Sequence, residues 1–242
     1  MKSYCATDVG QKRKINQDSV FATEEAVGNL PNLFVVADGM GGHNAGDFAS
    51  RFAINSVTEY IRECEEKNPV RILQGAIQSA NAGIIAEAAG HEELYGMGTT
   101  IVALSVMDGY AYVANVGDSR LYVMEETLRQ VTKDHSLVEE MVRLGEITEE
   151  DAKHHPDKNI ITRALGTVPN LGIDFFDFKT DARTQILLCS DGLTNMVDDE
   201  EIEAVLQKGG TPKEKTQKLI ETANRNGGKD NIAVIIVEPD NE

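Results

Sequence analysis

Four aspartates stand beside apolar segments of this sequence, where a carboxylate lies at the edge of a hydrophobic core and can take part in chemistry. Each segment is rich in Val, Ile or Leu and predicts a strand that ends or begins at the acidic residue. These residues are Asp38, Asp118, Asp191 and Asp230. For any one of them a turn is the simpler interpretation, because Asp and Gly are common turn residues.

The four carboxylates are more informative together, because strand ends in one sheet system converge on common rims. Carboxylates that converge repel one another unless a cation neutralises them. Oxygen ligands without Cys or His at zinc spacing favour Mg²⁺ or Mn²⁺. Two such ions, roughly 3.5–4 Å apart, can hold a water, lower its pKa and present hydroxide to a phosphorus atom.

The charges of such a site favour an anionic substrate. Asp38, Asp191 and Asp230 supply three negative charges, which leaves about one positive charge when two divalent ions are bound. Gly39 lets the backbone approach closely and offers its carbonyl as a further ligand. Arg13 is a candidate for holding phosphate through bidentate hydrogen bonds, although a surface role is the simpler interpretation of an isolated arginine.

Other kinds of site fit the sequence less well. The segment G41-G-H-N-A-G46 has the glycine spacing of a nucleotide phosphate loop but lacks its Lys-Ser/Thr, and residues 39–44 lack the third glycine of a dinucleotide fingerprint. His154 and His155 are adjacent, so their side chains diverge, and solvated loop histidines are favoured over a metal site. Cys189 lacks the phosphate-cradling context of a thiol nucleophile, and neither Ser136 nor Ser190 lies in a G-x-S-x-G elbow.

Composition limits the class of protein. The chain has 242 residues, 41% of them hydrophobic, and a formal net charge of −17, which disfavours nucleic acid and anionic membrane as partners and attracts basic regions of substrates. No signal peptide or apolar span is apparent, and three scattered cysteines favour reduced thiols. We therefore expect a soluble, cytoplasmic protein, and a monomer.

The apolar runs predict strands, and two groups of helical pattern separate them. Helices are predicted at 44–64, at 70–89 and from Thr211, an N-cap with a capping-box Glu214, to about Ala223. Strands are predicted at 33–37, 101–106, 111–116, 120–124, 186–189 and 232–237. The strands between 98 and 132 leave no room for helices, so we expect antiparallel meanders and a layered α+β fold in one domain, 1–242.

The segment from 134 to 165 has a different character. Asp134 is predicted to cap a short helix that Gly145 ends, and Thr148 to Asp151 to begin another turn. The polar residues that follow, up to Thr162, predict a mobile surface excursion.

Eight motifs, taken in chain order, resemble those of the metal-dependent Ser/Thr protein phosphatases of type 2C, in their compact, stand-alone bacterial form. One such motif is weak evidence, but eight in order across residues 2–238 are highly specific. The motifs are R13-x-x-N-Q-D18, V36-A-D-G-M-G-G-H43, G98-T-T100, V116-G-D-S-R120, D134-H-S136, T162-R-A-L-G166, C189-S-D-G-L193 and G228-K-D-N231.

The resemblance implies a four-layer α-β-β-α sandwich of two antiparallel sheets flanked by helix pairs, with two Mn²⁺ or Mg²⁺ ions between the sheet edges. Asp38 would bridge both ions, and Gly39 would add its carbonyl. Asp191 and Asp230 would complete one ion's shell. In the remaining roles the resemblance implies Asp18 beside the second ion, Asp118 at a third and weaker metal site, Arg13 on the substrate phosphate, and a flap at about 145–162.

Two positions depart from the pattern of animal members of the family. Met40 stands where those members have a histidine proposed as general acid, and His43 is not given that role. Gln17 stands where they carry a Glu that binds the second ion, so Asp18 becomes the main candidate ligand of that ion.

The predicted activity is hydrolysis of phosphoserine or phosphothreonine in proteins by direct attack of a hydroxide that bridges two ions. A cognate Ser/Thr kinase would supply the substrates. Two alternatives remain open at this stage: a catalytically silent phosphoprotein-binding module on the same fold, and a phosphatase for small phosphate esters.

Overall fold

The computed structural model describes residues 1–42 and 45–239. Within these ranges the strands form two sheets, and every pair of neighbouring strands is antiparallel. The first sheet contains, in spatial order, β1 (Lys2–Asp8), β11 (Ile232–Glu238), β10 (Gln185–Cys189), β7 (Arg120–Met124) and β8 (Leu128–Gln130). The second contains β2 (Asp18–Thr23), β3 (Leu33–Met40), β5 (Ile101–Met107), β6 (Tyr110–Val116) and β9 (Asp174–Lys179), with the short β4 (Gly98–Thr99) beside β3.

Helices cover the outer face of each sheet. The second sheet packs against α1 (Ala45–Glu63) and α2 (Pro69–Gly90). The first sheet packs against α5 (Asp191–Thr194), α6 (Asp199–Gln207) and α7 (Pro212–Arg225). Two shorter helices, α3 (Leu137–Arg143) and α4 (Glu149–His154), lie in the long connection before β9. Among the helices of the described ranges, none combines the length and apolar character needed to span a membrane.

Alternation along the central strands creates three apolar layers. In β3, Val35 and Ala37 pack toward α1 and α2, whereas Phe34 and Val36 pack toward the other sheet. Ile235 of β11 meets that inner layer from the first sheet. Because both faces of these strands are covered, they are apolar throughout instead of alternating with polar residues. The four-layer α-β-β-α sandwich expected from the resemblance is therefore confirmed.

The expected meander between 98 and 132 is only partly right. Strands β5 and β6 pair with each other, and so do β7 and β8. However, β6 and β7 belong to different sheets. The chain crosses between the sheets at Gly117, whose φ is +106°, and Asp118 follows directly after it. The short linker lets consecutive strands leave one sheet for the other instead of pairing.

Helix capping matches the sequence patterns with one exception. Thr211 and Glu214 form the predicted capping box at the start of α7, and Thr148 caps α4. The cap of α3 is Ser136, not Asp134 as predicted. Asp134 instead forms a bidentate ion pair with half-buried Arg120, and charge-assisted hydrogen bonds of this kind are stronger than the single hydrogen bond of a helix cap.

Candidate metal centre

Asp18 and Asp38 face each other across two paired strands. They are register partners in the antiparallel pair of β2 and β3. The strand β3 runs on to Met40, past the predicted end at residue 37, so Asp38 lies inside a strand and the turn interpretation does not hold for it. The backbone of Gly39 continues this pairing by donating its N–H to the carbonyl of Gln17 at 3.1 Å.

Asp191 and Asp230 reach the same rim from the first sheet. Asp191 is the first residue of α5, directly after β10, and Asp230 lies just before β11. Gly192 permits the two segments to touch, because a Cβ there would collide with the carbonyl oxygen of Asn231. The carboxyl group of Asp38 lies within hydrogen-bonding reach of both Asp18 and Asp191.

Burial and mutual repulsion raise the pKa values of four carboxyl groups, those of Asp18, Asp38, Asp118 and Asp191. Burial is the largest cause at every one of them, and neighbouring carboxylates add to it. The pKa of Asp18 rises to about 7, that of Asp118 rises to about 8, and that of Asp38 lies well above its usual range. Asp191 is shifted upward as well, with Asp230 as its main charged neighbour. The protein alone therefore disfavours the fully ionised form of the cluster, and a bound cation would favour it.

Asp18 is held by a serine that the sequence analysis did not assign. The Ser190 hydroxyl donates to Asp18 Oδ2 at 2.6 Å and accepts from the Ala233 N–H at 2.9 Å. Asp18 is 5% exposed, and in the ranges the structure describes its Oδ1 has no hydrogen-bond partner. A buried carboxylate oxygen without a partner is costly unless a cation or ligand satisfies it.

Asp118 is buried and belongs to the same electrostatic field. Charge repulsion from Asp118 contributes to the raised pKa of Asp38, and repulsion from Asp191 contributes to the raised pKa of Asp118. A hydrogen-bond chain links the two segments. Thr100 Oγ1 accepts from the Asp38 N–H at 3.0 Å and contacts Ser119 Oγ at 2.8 Å. Ser119, the residue after Asp118, is thus fixed relative to Asp38 through Thr100, which lies between β4 and β5.

A histidine fixes the turn before Asp118 from the other side. His135 Nδ1 accepts from the Gly117 N–H at 3.0 Å, and the His135 N–H donates to the Gly117 carbonyl. The neutral ring therefore carries its proton on Nε2, which lies 3.2 Å from Asp174 Oδ2. Arg163 also contacts Asp174, at 2.9 Å. His135 and Arg163 lie in two of the eight sequence motifs, but no role was predicted for either residue.

Arg13 is at the site, as the resemblance implied, and it is anchored by a carboxylate. Its Nη2 lies 2.7 Å from Asp230 Oδ2. The Arg13 side chain is 52% exposed, so the guanidinium, with five N–H donors, can offer others to an anion that enters the cleft.

These residues fit divalent cations by their chemistry. The donor set is hard oxygen from carboxylates, one of them with an unpartnered buried atom. Gly39 permits the start of α1 to pack closely on β3 beside Asp38, because a Cβ there would collide with the carbonyl of Gly46. Across the described residues, no three acidic, His or Cys side chains form a preassembled cage around one point. Here the carboxyl groups contact one another, Arg13 and Asn195 instead.

Sequence reasoning placed the aspartates correctly at one rim but missed the residues that hold them. Asn231, which follows Asp230, accepts from the Gln17 N–H at 2.9 Å and so ties the two sheets together beside the site. Ser190 and Asn231 each stand next to a predicted ligand, and this position in the sequence could have identified them as residues of the site. His43 lies outside the described residues.

Comparisons with known proteins agree with this geometry. The family model for protein phosphatase 2C matches residues 9–233. The serine/threonine phosphatase stp of Listeria monocytogenes is 43% identical over 241 residues, which cover 97% of this chain and 94% of the relative. The protein phosphatase PhpP of Streptococcus pneumoniae is 39% identical over 98% of this chain and 96% of its own length.

Solved structures show the same fold. The serine/threonine phosphatase Stp1 from Staphylococcus aureus superposes with a TM-score of 0.91 at 36% identity, covering 99% of this chain and 95% of that one. The catalytic domain of the phosphatase PstP, in complex with two manganese ions, gives a TM-score of 0.86 at 33% identity, covering 97% and 96%. The present chain belongs to the protein phosphatase 2C family.

Proposed function

We propose that Asp38, Asp191, Asp230 and Asp18 hold two divalent ions in this chain, and that Arg13 holds the phosphate of the substrate. The activity is that of a protein serine/threonine phosphatase dependent on Mn²⁺ or Mg²⁺. The observation that carries the residue assignment is the convergence of Asp18, Asp38, Asp191 and Asp230 at one rim, where the pKa values of the first three are raised. Such a cluster is stable in its charged form only when cations compensate it.

Each residue has a distinct task in this proposal. Asp38 contacts Asp18 on one side and Asp191 on the other, which suits it to bridge the two ions. Gly39 would offer its carbonyl oxygen as a ligand to an ion, and Asp118 would be a ligand of a third, more weakly bound ion. When bound, the ions lower the pKa of a water and neutralise charge on the phosphate.

Arg13 binds and orients the substrate. Its contact with Asp230 keeps the guanidinium beside the ion ligands, and its planar fork suits two phosphate oxygens. Met40 lies in β3 beside Gly98 and carries no proton to give, so a water protonates the leaving serine or threonine alkoxide. The substrates are the products of a protein Ser/Thr kinase, because such a reaction alone supplies the phosphate ester.

The experiment is release of phosphate from a phosphothreonine peptide with Mn²⁺, with Mg²⁺ and after chelation. Release should depend on the metal, and Asp38→Asn should lower turnover on the order of a hundred- to a thousandfold by removing charge shared by both ions. Asp177→Asn, at an exposed position on β9, is the matched control and should retain full activity. Near-normal turnover of Asp38→Asn would contradict its assignment as the bridging ligand.

A comparison of substrates tests the remaining alternative. The turnover of the phosphopeptide should exceed that of free phosphothreonine, because a protein phosphatase also contacts the chain around the phosphate. Equal kcat/KM on both would favour a phosphatase for small esters.

A further inference from the structure

The loop beside Arg13 is strongly basic in a chain that is otherwise acidic. Residues 11–15, Q-K-R-K-I, and residues 225–229, R-N-G-G-K, together hold five cationic side chains and no carboxylate. We call these two segments the basic rim. All five cationic residues are exposed, although the whole chain has a formal net charge of −17. The local charge around Arg13 is therefore positive, opposite to the net charge of the whole chain.

The two segments of the basic rim lie against each other. The N–H of Gln11 donates to the Gly228 carbonyl at 2.7 Å, and the Gln11 amide donates to Asn224 Oδ1 at 3.1 Å. Gly10 has a φ of +77°, and a Cβ there would collide with the Asp230 carbonyl. The loop therefore packs directly on the backbone that carries a proposed metal ligand.

Asn231 holds the loop at both ends. Its Nδ2 donates to the Val9 carbonyl at 2.9 Å and to the Ile15 carbonyl at 3.0 Å, while its Oδ1 accepts from the Gln17 N–H. Residues 10–14 thus form a loop that is pinned at its base while its side chains extend into solvent. A positioned set of cations loses less conformational entropy on binding than a mobile tail does.

The acidic residues nearest in the chain leave most of the basic rim without a carboxylate partner among the described residues. Asp8 accepts from the Gly10 N–H and from the Asn224 amide. Asp230 pairs with Arg13. The cations at Lys12, Lys14 and Lys229 therefore remain available to an anionic partner.

We propose that the basic rim binds acidic residues that flank the phosphorylated Ser or Thr of the substrate, so that the enzyme prefers acidic phosphopeptides. This inference rests on the proposed role of Arg13, because the phosphate on Arg13 brings the flanking residues beside Lys12 and Lys14. An extended peptide spans about 3.3–3.6 Å per residue, so neighbours of the phosphorylated residue come within reach of this loop. Nucleic acid and anionic membrane fit less well, since the rest of the surface repels them.

The flap side of the molecule has the opposite charge. Residues 146–151 contain four carboxylates and no cation. Among them, Glu150 pairs with Lys153, and Asp151 accepts from the N–H of Thr148, the N-cap of α4. The preference is therefore for acidic residues on the side of the peptide that faces the basic rim, and peptides with acidic residues only before or only after the phosphothreonine will show which side that is.

The test compares four phosphothreonine peptides of one length. Their flanks are Glu before the phosphothreonine, Glu after it, Gln on both sides, or Lys on both sides. We expect at least one Glu peptide to exceed the Lys peptide in kcat/KM, with the ratio shrinking at high salt because exposed charges are screened. The double variant Lys12→Gln/Lys14→Gln should reduce this ratio by roughly three- to tenfold, through KM more than kcat.

A matched control removes two lysines elsewhere. Lys67→Gln/Lys208→Gln has the same change in net charge. Lys208 precedes α7 at the end away from Arg225, roughly 20 Å along that 14-residue helix. The control should keep the wild-type ratio. An absent preference in the wild type, or a preference that both double variants reduce equally, would overturn the inference. If the Gln peptide is not dephosphorylated with Mn²⁺, the proposed function itself is wrong, which separates the two failures.

Discussion

The hydrogen bond from Ser190 to Asp18 gives a direct test of how the centre is held together. Ser190 is fully buried, its hydroxyl donates to Asp18 Oδ2 at 2.6 Å, and it accepts from the Ala233 N–H at 2.9 Å. The change Ser190→Ala removes both bonds at once. It leaves a buried carboxyl group whose other oxygen already has no partner in the described structure.

The cost follows from the two groups that lose a partner. A hydrogen bond to a charged group contributes about 1.5–3 kcal/mol, and a buried unsatisfied N–H costs about 1–3 kcal/mol. Protonation of Asp18, whose pKa is about 7, relieves part of this. We expect Ser190→Ala to lower the free energy of unfolding by about 2–4 kcal/mol, which is roughly 4–16 °C in Tm for a domain of this size.

Ser105→Ala is the matched control, because it makes the same chemical change at an equally buried site. Ser105 is fully buried, and its hydroxyl has no hydrogen-bond partner among the described residues. Its removal should change stability by less than about 0.5 kcal/mol or stabilise the protein slightly. Thermal and urea unfolding of both variants in chelator measure the difference.

Metal affinity supplies the second assay. Ser190 orients a proposed ligand, and loss of such a supporting hydrogen bond typically weakens metal binding about 10- to 100-fold. Calorimetric titration with Mn²⁺ should show this for Ser190→Ala and no change for Ser105→Ala. Equal destabilisation by both changes, with unchanged Mn²⁺ affinity, would refute the reasoning.

Two further predictions concern the region around the flap. Burial lowers the pKa of His135. The pKa of Asp174 is also lowered, because the hydrogen bonds from His135 and Arg163 together outweigh the opposite effect of its partial burial. Both groups therefore stabilise the fold above their unfolded pKa values, about 6.5 and 3.9, and lose this stabilisation as pH falls. His135→Asn keeps an acceptor for the Gly117 N–H, so urea unfolding should show a smaller loss of stability between pH 7 and pH 5 than in the wild type; an equal loss would contradict this. Deleting 148–158 removes α4 but leaves the contacts of residues 160–162, and should change kcat/KM on a phosphoprotein more than on a small ester, whereas equal effects on both would argue against a recognition role.

The sequence predicted the buried parts of this fold better than the edges. The central strands are recognisable in the sequence as runs of Val and Ile, because both of their faces are covered. Strands β1, β2 and β9 were not predicted. They are half-buried and mix polar with apolar residues, as in D174-F-F-D-F-K179, so local pattern did not separate them from loops.

The sequence pointed to the aspartates that meet at the candidate site, but not to the residues that hydrogen-bond to them or fix the adjoining loops. Aspartates beside apolar runs carry a signal in the sequence itself, and ordered motifs strengthen it. The clamp of His135 on Gly117 depends on a crossing from one sheet to the other, which no local pattern encodes. Asp134 was misassigned for the same reason, because its partner Arg120 lies on β7 and competes with the helix cap.

Repulsion among the carboxylates also explains why several hydrogen bonds are needed to hold the residues of the centre in place. Asp18 and Asp38 are brought opposite each other by strand pairing, and Asp191 approaches from the other sheet. Strand register and sheet packing are set by the apolar layers, so the repelling groups cannot separate without disturbing the core. The stability of the sandwich thus holds together a cluster of charges that would otherwise move apart. A cation that enters this cluster relieves repulsion already present in the fold, and for this reason metal binding should stabilise the whole domain and not only order the cleft.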